Sequence, residues 1–204
     1  MLAQLGYEVV GVDQSKTMLT KAEERKNELD KPVADKLSFY EGDIRTYESD
    51  KKVDVVISLF HVMSYMQTDA DLKKAMQTAK HHLKKAGLFI FDCWHGAGVL
   101  HDKPVPRTKN FENEFILVRR ESAPEMFEEK DLVDVNFKIE IKNKQTNEET
   151  ILHEKHTMHY LFTDKLKVLF KECGLKMMHA EEWMTKQPLS RTSWNACYVC
   201  KLNS

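Results

Sequence analysis

The sequence predicts an α/β fold, a doubly wound and mostly parallel sheet with an antiparallel β insertion, and three observations carry that prediction. Short apolar runs at Tyr7–Val12 (YEVVGV), Leu37–Tyr40 (LSFY), Val53–Leu59 (VDVVISL) and Leu88–Phe91 alternate with helical patterns, the order of strand–helix units on a parallel sheet. The first two runs end in carboxylates, Asp13 and Asp43, at what would be the ligand-facing edge of such a sheet. Val133, Val135, Phe137, Ile139 and Ile141 alternate strictly with Asp134, Asn136, Lys138 and Glu140, the pattern of an antiparallel strand with one wet face.

In chain order, Met1–Gly6 reads as the last turn and glycine stop of a helix, which implies an earlier strand on its far side. The strand Tyr7–Val12 follows and ends at Asp13, where a carboxylate can accept from both hydroxyls of a ribose or simply cap the next helix. Ser15 offers the cap oxygen of that helix, whose apolar positions are Met18, Leu19, Ala22 and Leu29. After the second strand, Gly42 permits close backbone approach, Asp43 can accept from an exocyclic amine, and Ile44 can cover a ring face. Because Ile44-Arg45-Thr46 shows no helical pattern, capping is a poorer account of Asp43 than of Asp13.

The third strand leads into Phe60-His61-Val62-Met63-Ser64-Tyr65-Met66 at the same edge. Thr68 and Asp71 then open a helix with Leu72, Ala75, Met76, Ala79 and Leu83 on one face, expected to end at Gly87. The strand Leu88–Phe91 is followed by Asp92-Cys93-Trp94-His95. In the second half, Ile151–Phe162 should pair with the alternating strand across the polar turn Asn143–Glu148, and Phe111–Arg120 is a candidate third strand. Thr163 should cap a helix ending at Gly174, with final strands near Leu175–Trp183 and Trp194–Leu202. We expect a single domain over residues 1–204, with 111–162 an antiparallel insertion over the cleft.

Composition narrows the function. Lys+Arg 31 against Asp+Glu 32 gives no general attraction to nucleic acid or acidic membranes, so a small-molecule partner is expected. No run approaches the ~20 apolar residues of a membrane span and no export signal is visible, which reads as cytoplasmic. Cys197 and Cys200 have the Cys-x-x-Cys spacing, but on a strand residues three apart point to opposite faces, so they read as structural thiols. By the same parity His156 points away from His153 and His159, so no metal is expected.

The segments GYEVVGVDQSKTML, FYEGDIRTY, VDVVISLFHVMSYM and LKKAGLFIFD, in this order and spacing, resemble the class I S-adenosylmethionine-dependent methyltransferases. The resemblance runs from Met1 to about Asp92, with a looser match in the last forty or so residues, and is closest to small-molecule enzymes such as amino-sugar and glycine-type N-methyltransferases. It implies a Rossmann-like sheet and S-adenosyl-L-methionine as cofactor. It also implies that Asp13 holds the ribose hydroxyls, Gln14 flanks the adenine, Asp43 faces the adenine amine with Ile44 beside it, and Leu59 lines the methionine end, with Met18, Gly42 and Phe60 completing the cofactor-binding set. His61 stands where the amino-sugar group tends to have a small residue.

The expected activity is therefore methyl transfer to a small-molecule amine or hydroxyl acceptor. His61 and His95 are the candidate bases for an oxygen acceptor, by type and by position. Two other readings stay open: a non-catalytic binding or dimerisation module, and an NAD-dependent oxidoreductase reading ribose through Asp13. A homodimer is also left open. The seven glycines form no G-x-G-x-x-G run, and the family's first strand and glycine-rich loop have no counterpart here. The expectation is an N-terminally truncated methyltransferase of little or no activity, lacking on the order of 30 to 50 residues.

Overall fold

The computed structural model describes residues 1–202. β1 (Val9–Asp13) and β2 (Leu37–Glu41) pair in parallel, with Val9 opposite Leu37 and Asp13 opposite Glu41. β1 starts later than the expected Tyr7. The Tyr7 N–H turns back to the Leu2 carbonyl around the 3₁₀ turn Ala3–Leu5, which Gly6 closes in the left-handed conformation. Between the strands lie α1 (Lys16–Asn27), whose first turn is capped by the Ser15 hydroxyl accepting from the Met18 N–H at 3.3 Å, and the single-turn α2 (Lys31–Ala34).

β3 (Val53–Ser58), α3 (Asp69–His82) and β4 (Leu83–Trp94) form the next unit, with β3 parallel to β4. The Thr68 hydroxyl accepts from the Asp71 N–H at 3.1 Å and donates to the Asp71 carboxylate at 3.0 Å, which starts α3. The expected stop at Gly87 is corrected. α3 ends at His82, and the register slips from Val53 opposite Leu83 to Val55 opposite Leu88, so residues 84–87 are taken up as an irregularity in β4. Ala86 is left-handed there, and Gly87 lies so near the Asp54 carbonyl that an added Cβ would meet it at 3.0 Å.

After α4 (Gly96–His101) come β5 (Arg107–Glu112), β6 (Ile116–Phe127), β7 (Leu132–Asn143) and β8 (Glu149–His159), an antiparallel sheet in sequence order. The stretch around Phe111–Arg120 is two strands rather than one, because the Asn113 side chain accepts from the Phe115 and Ile116 N–H groups at 2.9 Å each and turns the chain. α5 (Thr163–Cys173), β9 (Leu175–Glu182) and β10 (Asn195–Leu202) complete the described chain. Thr163 does not cap α5: Phe162 occupies the cap position with no side-chain bond, and the Thr163 hydroxyl instead meets the Tyr198 hydroxyl at 2.7 Å.

The expected continuous sheet is divided. β1-β2 form one ladder and β3-β4-β10-β9 another, and among the described residues no strand pairs with the second edge of β1 or of β3. One face of the four-stranded sheet packs against α3 and α5, burying Phe89, Phe91, Tyr198, Leu72, Met76, Leu166 and Phe170. Each buried apolar side chain of this size contributes about 1.5–3 kcal/mol. On the other face Val55 and Ile57 remain 41% and 45% exposed.

The antiparallel sheet has its own core, where Val133 and Val135 pack with Val99, Met158 and Tyr160, and Trp94, Phe137 and Trp194 lie against them. It meets the rest of the fold through the bridge of His95 to Leu161 and through bonds from β8 to Tyr65, on the turn Val62–Tyr65, and to the Met66 carbonyl after it. Cys93, Cys173, Cys197 and Cys200 are free and buried. Among the described residues no helix is long and apolar enough to cross a membrane.

Candidate active site

The carboxyl ends of β1, β2, β3 and β4 carry the polar groups of the candidate site. At β1, one Asp13 oxygen accepts from the Ser15 N–H at 2.8 Å, so the residue does shape the turn into α1, yet its side chain stays exposed. Gln14 beside it is also exposed and reaches toward Asp43. Met18 projects from α1 and is 56% exposed.

At β2 the expected residues are already engaged within the protein. The Asp43 carboxylate is gripped by Arg45, whose Nε reaches both oxygens at 3.0 Å and whose Nη2 reaches Oδ2 at 2.6 Å, while the Arg45 N–H adds 2.8 Å to Oδ1. This side-chain grip is the chief reason the Asp43 carboxyl is held below its ordinary range. Arg45 also reaches Asp71 at 3.2 Å, tying the end of β2 to the start of α3. An amine at this point therefore shares Asp43 with a resident guanidinium. The space over Gly42 is filled as well, since a Cβ there would lie 2.7 Å from the Tyr47 ring and 3.0 Å from Val12. Ile44 faces the main core rather than open cleft.

At β3 the chain makes an unusual exit. Leu59 leaves the strand half-buried, and Phe60 and His61 are both left-handed, with φ of 62° and 66°. A bulky aromatic such as Phe60 does not adopt this region freely, so it stores strain of order 1–3 kcal/mol. Phe60 is thrown outward, 80% exposed. The bend carries His61 onto Asp92 of β4, which is fully buried. The His61 N–H donates to Asp92 Oδ1 at 3.1 Å and Oδ2 at 3.2 Å. The ring Nδ1 lies 2.8 Å from Oδ2, within ion-pair range though not aligned as a hydrogen bond. Sequence reasoning named His61 but missed Asp92 as its partner, although an acid ending an apolar strand was visible.

His95, the second expected base, does not reach the cleft. It is buried, with Nδ1 at 3.0 Å from the Ser193 carbonyl and Nε2 at 3.5 Å from the Thr163 hydroxyl, so it braces α4, α5 and the approach to β10. Tyr65 lies four residues past His61, on the turn Val62–Tyr65. Its hydroxyl lies 2.6 Å from His156 Nδ1, and His156 Nε2 lies 3.3 Å from Glu154. Nearby, His159 Nδ1 meets the Met66 carbonyl at 2.8 Å, and burial is the main reason its pKa is lowered. Ser58 Oγ at the end of β3 and Asn195 Oδ1 at the start of β10 are buried without a hydrogen-bond partner.

Residues 1–87 match the family described as a methyltransferase domain. The chain is 28% identical over 87 residues to dTDP-3-amino-3,4,6-trideoxy-alpha-D-glucopyranose N,N-dimethyltransferase of Streptomyces venezuelae, a match covering 43% of this chain and 33% of that protein. The match thus spans about a third of the length of the curated relative. Over the whole backbone, an S-adenosylmethionine-dependent methyltransferase from Clostridium acetobutylicum superposes with a TM-score of 0.77 at 20% identity, covering 96% of this chain and 75% of that one. The fold is that of the class I methyltransferases. CcbJ of Streptomyces caelestis superposes on this methyltransferase fold with a TM-score of 0.81 at 17% identity, over 100% of this chain and 78% of that one. The sugar N-methyltransferase KedS8 of a Streptoalloteichus species does so at 0.76 and 17%, over 96% and 71%.

Proposed function

We propose that this methyltransferase-fold protein transfers a methyl group from S-adenosylmethionine to the nitrogen or hydroxyl of a small-molecule acceptor, in the cytoplasm and without nucleic-acid or membrane partners. The observation that carries the reading is the strained exit from β3, which sets His61 against the buried Asp92 of β4, as Asp13 ends β1 and Asp43 follows the carboxyl end of β2. Strain of this kind persists only where surrounding structure enforces it, and it clusters at sites with a use for it.

The residues present fit the cofactor at its adenosine end. Asp13 keeps one oxygen clear of its turn bond for ribose hydroxyls, and Gln14 and Asp43 stand beside it. The unpartnered Ser58 Oγ supplies a further polar atom at the end of β3. When bound, S-adenosylmethionine supplies a methyl carbon made electrophilic by its sulfonium, so the protein has mainly to align the acceptor and exclude water. His61 takes the acceptor's proton, and Asp92 holds the imidazole in place and stabilises it once charged. Relatives that methylate the nitrogen of amino sugars favour an amine acceptor over a hydroxyl.

The same reading seats a further parallel strand, with a glycine-rich turn at its carboxyl end, between β1 and β3. Its support is that, among the described residues, β1 and β3 each pair on one edge only, and that Val55 and Ile57 of β3 stay exposed. The oxidoreductase reading is not favoured. Its short-chain type would need a Tyr-x-x-x-Lys pair on a helix, whereas Tyr47 and Lys51 at that spacing lie off any helix, with Lys51 3.4 Å from Glu8. The test is calorimetric titration with S-adenosylhomocysteine and with NAD, followed by radiolabelled methyl transfer to amine and hydroxyl compounds. Binding of S-adenosylhomocysteine alone, with label incorporated into amines, is the expected result. Binding of NAD in its place overturns the reading.

A further inference from the structure

Three residues outside the cofactor edge form a hydrogen-bonded row that the mechanism above leaves unused. Tyr65 lies on the turn that continues from His61, and its ring is 41% exposed. Its hydroxyl contacts His156 Nδ1 at 2.6 Å across the gap to β8, and His156 Nε2 faces Glu154 at 3.3 Å. His156 pairs opposite Val135, and Glu154 opposite Phe137, so both side chains are on the sheet face that Val135 packs against the fold. Phe137 sets its ring edge-on to His156 at 5.3 Å, and the Arg120 guanidinium covers Phe137 at 5.3 Å. His156 is therefore faced by Tyr65 from the turn, by Glu154 on its own strand and by Phe137 on β7, with Arg120 over the Phe137 ring.

The row has one consistent assignment of protons. Glu154 is an acceptor, so His156 carries its proton on Nε2 and presents Nδ1 as an acceptor to the Tyr65 hydroxyl. Tyr65 thus spends its own proton inward on His156, and the lone pairs left on its oxygen can only accept. Burial, reinforced by Glu154, pushes the Tyr65 pKa up, which keeps that hydroxyl protonated. When His156 gains a second proton, Nδ1 becomes a donor. The Tyr65 oxygen must then accept from the imidazolium and turn its own proton outward.

We propose that Tyr65, oriented by His156 and Glu154, recognises the methyl acceptor by accepting a hydrogen bond from its amine or from a hydroxyl beside that amine. Tyr65 is the contacting residue, and His156 and Glu154 are positioning residues. The ligand class is a primary amine flanked by hydroxyls, and this inference rests on the transferase reading above. One consequence follows from the proton arrangement: donor-bearing acceptors are preferred.

The test uses the full chain saturated with S-adenosylhomocysteine and titrated with glucosamine, with methyl glucoside as the amine-free control. Binding is followed by calorimetry and the His156 ring by nitrogen-edited NMR across pH. Glucosamine should bind more tightly than methyl glucoside and should perturb His156. Tyr65→Phe should weaken glucosamine roughly two- to tenfold, the range for one neutral hydrogen bond, with S-adenosylhomocysteine affinity unchanged. Glu154→Gln, at a half-exposed side chain, should shift the His156 ring proton from Nε2 to Nδ1 in the nitrogen-edited spectrum and weaken glucosamine, because an amide can donate to Nε2 and so turn Nδ1 into a donor toward Tyr65. A merely structural clasp between turn and sheet predicts no such coupling of tautomer to affinity. Equal affinity of the wild type and Tyr65→Phe for glucosamine, an unchanged His156 tautomer and affinity in Glu154→Gln, or no glucosamine binding by the wild type would each overturn the proposal. A folded protein that fails to bind S-adenosylhomocysteine counts against the parent reading instead, so the two failures are distinguishable.

Discussion

His61 and Asp92, 31 residues apart, are joined through both backbone and side chain: the His61 N–H donates to Asp92 Oδ1 at 3.1 Å while its ring Nδ1 stands 2.8 Å from Oδ2. A buried carboxylate satisfied by one residue in this way makes that residue's placement depend on it, since an unpaired buried charge is costly.

Asp92→Asn retains an oxygen for the His61 N–H but removes the charge that stabilises a protonated ring. Methyl transfer should fall on the order of 10²-fold or more, with S-adenosylhomocysteine affinity unchanged and stability reduced by about 1–3 kcal/mol. Steady-state kinetics beside urea melts read both effects. Wild-type turnover in the variant would remove the pair from the mechanism.

Arg45→Met should leave a distinctive pH signature. The Arg45 side chain holds Asp43 below its ordinary range, and with the Thr68 hydroxyl as the larger cause it does the same for Asp71. A carboxyl depressed in the folded state contributes stability that is complete above its unfolded pKa of about 4 and disappears as pH falls through the folded value. The stability gap between wild type and Arg45→Met should therefore be constant near neutrality and close in acid. A gap independent of pH down to acid unfolding would contradict the pairing.

Tyr160 is fully buried, its hydroxyl has no partner, and burial is the main cause that pushes its pKa up to about 12. Tyr160→Phe removes an unsatisfied polar atom and should stabilise the protein by roughly 1 kcal/mol, or at least cost nothing. A tyrosine whose folded pKa is raised contributes stability below the unfolded value of about 10 and loses it as pH climbs toward 12. The variant should accordingly lose less stability than wild type over that alkaline range. Thermal melts showing marked destabilisation at neutral pH would mean that the hydroxyl is satisfied in solution.

Gly98 in α4 lies against the chain just before β10, where an added Cβ would collide with the Ser193 carbonyl. The obstacle is backbone and cannot rotate away. Gly98→Ala should cost about 1–3 kcal/mol or more and loosen the seat of His95, which bonds the same carbonyl. An unchanged denaturation midpoint would show that the 193–194 loop yields freely.

Local pattern was enough to place β1 through β4, the alternating β7, and the caps at Ser15 and Thr68, because periodicity and capping chemistry act over a few residues. Boundaries moved where distant groups decided them. The slip between β3 and β4 ended α3 at His82, and the pull of Tyr198 on Thr163 left α5 without a side-chain cap.

The site divides along the same line. The amino-acid sequence by itself determined that acids end β1 and β2 and that a histidine follows β3, since residue type and strand order place these without any long-range contact. Only the tertiary structure decided which groups are free to act. Arg45 grips Asp43, Tyr47 fills the space over Gly42, the Ser193 carbonyl draws His95 inward, and β8 brings His156 to Tyr65. Each of these outcomes is a competition for one hydrogen bond or one small volume, and the winner is set by which side chains folding brings within about 3 Å of one another.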